Sequence, residues 1–173
     1  GSSARGRLSR EKGYDLLIEA FAQVAPNHPD WTLEILGEGP ERSALTSLIE
    51  THGLSHRVRF SGWTDNPVPA LCRGQIFVLP SRYEGFPNAL LEAMACGLAP
   101  ISFDCDSGPR EILRHEVDGL LVPPEDVPAL AAALSRLMTN PAERTRLATK
   151  AQQVTERFSP ARFFAQWEEI FKG

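Results

Sequence analysis

Hydrophobic positions along this chain fall into short runs that alternate with longer stretches in which apolar residues recur every third or fourth position. Trp31 to Leu36 alternates apolar and polar residues. Arg57 to Phe60 and Gln75 to Leu79 are short runs, as are Leu98 to Phe103 and Gly119 to Val122, the last stopped by Pro123-Pro124; each reads as a strand. Between them, Tyr14 to Ala25 places Leu16, Leu17, Ala20, Phe21 and Val24 on one helical stripe that ends at Pro26. Glu41 to His52 turns Leu45, Leu48 and Ile49 inward and closes at Gly53, and Val68 to Arg73, Asn88 to Cys96 and Pro109 to His115 read as shorter helices. Such alternation predicts an α/β fold: a Rossmann-like, doubly wound parallel sheet covered by helices on both faces. Beyond Val122 the pattern is helical only, and Val127 to Met138, Pro141 to Phe158 and Pro160 to Phe171 are expected as extra C-terminal helices.

The first residues fit this pattern poorly. A doubly wound sheet should open on an apolar strand, and Gly1-Ser2-Ser3-Ala4-Arg5 is nearly devoid of apolar bulk. Residues 1–5 are therefore read as either a tag remnant or a truncated first strand, and residues 6–173 as one nucleotide-sugar-binding Rossmann-like domain cut from something longer.

Composition narrows the partners. With 173 residues and 42% hydrophobic content, the chain holds one full core. Its 18 basic and 22 acidic residues are interspersed, giving a formal charge of -4 without a basic block, so nucleic acid is not expected as a partner. No apolar stretch reaches the roughly 20 residues of a membrane span. Cys72, Cys96 and Cys105 show no metal-type pairing, which favours reduced cysteines and a cytoplasmic location. His28, His52, His56 and His115 lie at helix ends or in loops and read as surface residues.

The candidate chemistry is concentrated where the strand Gln75 to Leu79 passes through Pro80 into the helix beginning near Pro87. Proline suits a first helical turn, where its missing N–H leaves nothing unpaired. A helix start presents unpaired N–H donors and about half a positive charge, so the amides of Asn88, Ala89 and Leu90 suit a phosphate. Glu84 lies before that turn and Glu92 inside the helix, which places two acceptor carboxylates beside one anion site. Arg7 and Lys12 fall in the connection after the first strand, and loops at the carboxyl ends of parallel strands face the ligand crevice. Their charges can reach a common diphosphate. Gly37-Glu38-Gly39 follows a strand but carries Arg42 at the third glycine position and Pro40 in the turn, so it fails as a dinucleotide fingerprint. It is either a plain tight turn or a close backbone approach to a nucleotide.

Five segments, in order, resemble the C-terminal half of the retaining glycosyltransferases of family four. They are Gly6-Arg7-Leu8 to Lys12-Gly13, Ile35 to Pro40, Val58-Arg59-Phe60-Ser61-Gly62, Glu84-Gly85-Phe86-Pro87 to Glu92-Ala93, and Asp118 to Val122. The likeness covers nearly the whole chain. It implies a GT-B enzyme, built from two Rossmann-like domains facing a cleft, of which this chain is the donor-binding one. It also implies transfer of a hexose from a nucleoside diphosphate sugar, UDP or GDP, to an acceptor sugar or lipid-linked sugar held by a missing N-terminal domain.

Roles follow from the resemblance. Glu84 would contact donor-sugar hydroxyls and Glu92 the ribose, while Arg7 and Lys12 would neutralise the diphosphate as it leaves, without a required metal or other cofactor. Gly85, Phe86, Pro87, Asn88, Ala89 and Leu90 would complete the cradle, and Gly37, Gly39 and Arg59 would border the base. Gly108-Pro109-Arg110-Glu111 departs from the family's commoner form, which leaves Glu111 without a transferred role. The resemblance further implies polysaccharide, glycolipid or glycan synthesis, at the cytoplasmic membrane face in the full-length enzyme. A sugar-nucleotide epimerase of GT-B type and a non-catalytic nucleotide-sugar binding module remain as alternative readings.

Overall fold

The structure, a computed structural model, describes residues 1–106 and 108–154. A six-stranded sheet has the order β3-β2-β1-β4-β5-β6, with every neighbouring pair parallel. Its strands are β1 (Ser2–Arg5), β2 (Leu33–Leu36), β3 (Val58–Phe60), β4 (Ile76–Leu79), β5 (Ala99–Phe103) and β6 (Leu120–Val122). The helices are α1 (Tyr14–Val24), α2 (Arg42–Thr51), α3 (Val68–Leu71), α4 (Asn88–Ala95), α5 (Pro109–Ile112), α6 (Val127–Thr139) and α7 (Pro141–Gln152). This is the expected doubly wound arrangement, and its strand order reverses between β1 and β4.

β4 shows why the sheet must be covered on both sides. All four of its residues are buried and apolar, and successive side chains point to opposite faces. Ile76 and Val78 join a core with residues of α1, α2 and α6, while Phe77 and Leu79 join a second core with residues of α4 and with Ile112 and Ala151. Asp126 and Asn140 start α6 and α7 by accepting from the Ala129 and Glu143 amides, each followed by a proline in the first turn.

Residues 2–5 form β1, a fully buried strand paired with β2 on one side and β4 on the other. Apolar patterning gave little sign of this because two of its four side chains are serines and one is an arginine. Pairing on both sides satisfies the backbone, and the Ser2 hydroxyl donates to the Thr32 carbonyl at 2.8 Å. Other elements are shorter than expected: β2 starts at Leu33, α3 ends at Leu71 and α5 ends at Ile112. The helix expected from Pro141 is observed to Gln152, and the expected last helix, Pro160 to Phe171, lies outside the described residues.

Candidate functional site

The loops leaving β1 and β4 converge at the point where the strand order reverses, and the sequence forces them close together. Gly13 adopts a φ of +70° and sits so near the Pro80 carbonyl that a Cβ there would lie 1.8 Å from its oxygen. The Arg82 amide donates to the Glu11 carbonyl at 2.8 Å, tying the two loops backbone to backbone. The Arg82 side chain reinforces the tie with bonds to both Asp15 oxygens at 3.0 and 2.7 Å, to the Arg10 carbonyl at 2.6 Å and to Glu125 at 2.9 Å.

A cleft of about 170 Å³ opens between these loops. Arg7 and Lys12 line it from the β1 side, and Glu84, Phe86, Pro87, Asn88 and Ala89 from the β4 side. A second concavity of about 380 Å³ adjoins it, lined by Glu11, Lys12, Tyr83, Glu84, Gly85 and Asp106. Lys12 and Glu84 line both. The Lys12 ammonium reaches the two Glu84 oxygens at 3.3 and 3.2 Å, and the Ser81 hydroxyl donates to Glu84 at 2.8 Å. Arg7 is exposed and presents its charge at the mouth.

The start of α4 is more occupied than its sequence suggests. Pro87 caps the helix without a side-chain bond, the Asn88 amide donates to the Phe86 carbonyl at 3.0 Å and the Leu90 amide to the Pro87 carbonyl at 3.1 Å. Two of the three amides expected to face an anion are therefore engaged within the turn. The Leu90 side chain is fully buried. Asn88 contributes something the sequence did not signal: its side-chain oxygen is buried and has no hydrogen-bond partner among the described residues.

Glu92 lies deeper. It is buried in α4, and burial pushes its carboxyl up to about 7 against the opposing pull of the Arg5 guanidinium. Arg5 donates to both Glu92 oxygens at 3.0 and 3.1 Å, so β1 supplies a partner that sequence reasoning missed. An arginine at the end of a strand, immediately before Gly6-Arg7, was the available signal.

Among the predicted residues, Leu90 and Glu92 are buried and do not line the cleft, and Gly37, Gly39 and Arg59 sit apart from it. Gly37 and Gly39 allow the turn after β2 to pack on the loop after β1: a Cβ would lie 1.8 Å from the Gly6 carbonyl oxygen at Gly37, and 2.5 Å from the Leu8 carbonyl oxygen at Gly39. Close contact between protein backbones thus requires the absence of a side chain at both positions. Arg59 is largely exposed at the edge strand β3, 3.1 Å from Glu34, which also pairs with Arg73. Glu111 is exposed on α5.

A doubly wound parallel sheet whose loops bring basic residues and a helix start to one cleft at the switch point belongs to the Rossmann-like class of ligand-binding domains. Comparison with known proteins narrows that class. The family model described as glycosyl transferases group 1 matches residues 4–154, and the chain belongs to this family. Over 166 residues it is 43% identical to an exopolysaccharide phosphotransferase of Streptomyces coelicolor, a match covering 95% of this chain and 18% of that protein. Among solved structures, a single-substitution mutant of the TarM protein of S. aureus, in complex with Fondaparinux, alpha-GlcNAc-glycerol and UDP, is similar with a TM-score of 0.89. The two are 25% identical, covering 99% of this chain and 35% of that one. The C-terminal domain of a group 1 glycosyl transferase from Francisella tularensis gives a TM-score of 0.80 at 27% identity, covering 90% of this chain and 84% of that one. The fold is thus that of the C-terminal domain of GT-B glycosyltransferases. The chain spans 18%, 47% and 47% of the lengths of three curated relatives it matches.

Proposed function

We propose that this chain is the donor-binding domain of a retaining glycosyltransferase that moves a hexose from a nucleoside diphosphate sugar to an acceptor. The observation that carries this reading is the convergence of Arg7, Lys12 and the start of α4 on one cleft, with Glu84 on the wall it shares with the adjoining concavity. The diphosphate lies between the two cations and the helix start. The donor sugar occupies the larger concavity with its hydroxyls donating to Glu84, and the ribose faces Glu92. As the bond from the anomeric carbon to the diphosphate oxygen breaks, negative charge grows on the leaving phosphate. Arg7 and Lys12, already in place, stabilise that charge more in the transition state than in the ground state.

The UDP bound to TarM supports a uridine nucleotide over a guanosine one, and the exopolysaccharide relative supports a role in polysaccharide assembly. The acceptor, a sugar or lipid-linked sugar, binds to the other GT-B domain, at the cytoplasmic membrane face in the full-length enzyme. The isolated chain therefore binds nucleotide without transferring sugar. Calorimetric titration with UDP, GDP and ADP tests this directly. UDP should bind most tightly, and Arg7→Ala and Lys12→Ala should each cost about 1.5–3 kcal/mol, the range of hydrogen bonds to charged groups. Undiminished binding in both variants overturns the phosphate assignment, and turnover by the isolated chain overturns its dependence on a second domain.

A further inference from the structure

The buried end of β1 carries a charged network that neither the diphosphate nor the sugar contacts require. Arg5 is only 9% exposed and lines the same cleft as Arg7 and Lys12. One of its terminal nitrogens holds both Glu92 oxygens, at 3.0 and 3.1 Å, and the other reaches the Thr64 carbonyl at 3.3 Å. Its guanidinium carbon lies 4.9 Å from the centre of the Trp63 ring. A single side chain thus joins α4 to the segment that follows β3. Stability alone is a weak reason for such an arrangement, since removing two charges from water offsets most of what their attraction gains.

We propose that Arg5, itself part of the cleft lining, is a positioning residue that ties the Glu92 carboxylate and the Trp63–Thr64 segment together on the nucleoside side of the cleft. This rests on the donor-binding reading of the site. A carboxylate accepts ribose hydroxyls best when ionised, and burial favours the neutral form of Glu92 unless a cation opposes it. Arg5 supplies that cation from behind, and each Glu92 oxygen keeps a further lone pair for a ligand hydroxyl. The same guanidinium lies over the indole of Trp63, a residue that remains 53% exposed and so accessible to a ligand. Arginine suits this work because its planar fork can bond two segments at once, whereas lysine offers a single point charge.

Titration of UDP and of inorganic pyrophosphate into the chain separates positioning from direct phosphate binding. Arg5→Met should weaken UDP by about tenfold or more, the scale of one charge-assisted hydrogen bond, and leave pyrophosphate within about twofold. Arg5→Lys should recover part of the UDP affinity by restoring the charge beside Glu92. The double variant Arg5→Met with Glu92→Gln should bind UDP no more weakly than Arg5→Met, because the carboxylate has already lost its alignment. The double variant also removes the buried carboxyl left without its arginine, so it keeps the comparison with wild type open if Arg5→Met alone does not fold. Equal losses for UDP and pyrophosphate would make Arg5 a phosphate ligand and overturn the proposal, as would unchanged UDP affinity or single-variant losses that add. A wild-type chain that binds pyrophosphate but none of UDP, GDP and ADP overturns the donor-binding reading itself.

Discussion

Lys12 and Glu84, 72 positions apart in the chain, form an ion pair in which the ammonium contacts both carboxylate oxygens at 3.3 and 3.2 Å. The pair joins the loop after β1 to the loop after β4 on the wall common to the two concavities. A diphosphate that draws on Lys12 must therefore compete with Glu84 for the same charge. This yields an asymmetric prediction. Glu84→Gln should leave UDP affinity unchanged or raise it by up to about tenfold, since the competing carboxylate is gone. Lys12→Ala should lower UDP affinity by about tenfold or more. Calorimetry with UDP and with a UDP-hexose separates the roles: the Glu84 variant should lose whatever extra affinity the sugar provides, and the Lys12 variant should weaken both ligands alike.

Glu92 makes stability depend on pH in the direction opposite to that of an ordinary surface glutamate. Burial raises its carboxyl from the ordinary glutamate value of 4.5 to about 7. The folded state therefore binds this proton more tightly than the unfolded state does. Its contribution is fully present below about pH 4.5 and is lost as pH rises through about 7. At 1.36 kcal/mol per unit, the difference is about 3 kcal/mol. Urea unfolding of wild type and Glu92→Gln at pH 4.5 and pH 8 measures it: wild type should lose about 3 kcal/mol relative to the variant between those values. A constant difference between the two proteins would show that Arg5 holds Glu92 ionised throughout.

Much of the fold and part of the site were legible because they follow local rules. β4 is a continuous apolar run, α1 has a clean stripe, and Pro87 marks a helix start, so the alternation of strands and helices and the loop carrying Glu84 could be expected from periodicity and turn chemistry. β1 was legible only as one of two readings of residues 1–5, because its strand character comes from pairing on both sides, which composition does not encode. Arg5 and Arg82 escaped for a related reason: their partners Glu92 and Asp15 meet them only after the sheet has formed. Gly37 and Gly39 read equally as a tight turn or as a close approach to a nucleotide, and only the packed structure reveals the Gly6 and Leu8 carbonyls against them.

Arg82 should matter to binding although it lines neither concavity. Its side chain makes four hydrogen bonds, to both Asp15 oxygens, the Arg10 carbonyl and Glu125, and is 10% exposed. These bonds fix the turn that carries Lys12 against the loop that carries Glu84. Because Asp15 and Glu125 are themselves 38% and 57% exposed, their share of the stability is reduced by solvent screening. Arg82→Met should therefore destabilise the fold by about 1–3 kcal/mol and weaken UDP severalfold through misplacement of Lys12. Urea unfolding and UDP titration of the same preparation check both effects, and weaker folding with intact binding would separate the staple from the site.

The sharpest test of loop convergence is Gly13→Ala. The residue has a φ of +70°, where a Cβ is strained, and that Cβ would fall 1.8 Å from the Pro80 carbonyl oxygen. The left-handed backbone alone costs about 1–2 kcal/mol in a non-glycine residue. The collision adds to this, because a backbone carbonyl cannot rotate away as a flexible side chain would. Gly53→Ala is the matched control: its φ is +68°, yet nothing lies within 4 Å of the added methyl. Gly53→Ala should lose only the conformational part, whereas Gly13→Ala should lose at least about 2 kcal/mol more and bind UDP poorly because the β1 and β4 loops are pushed apart. Equal unfolding midpoints for the two variants would mean that the loops separate at no cost, and the shared wall of Lys12 and Glu84 could not then be a fixed feature of the cleft.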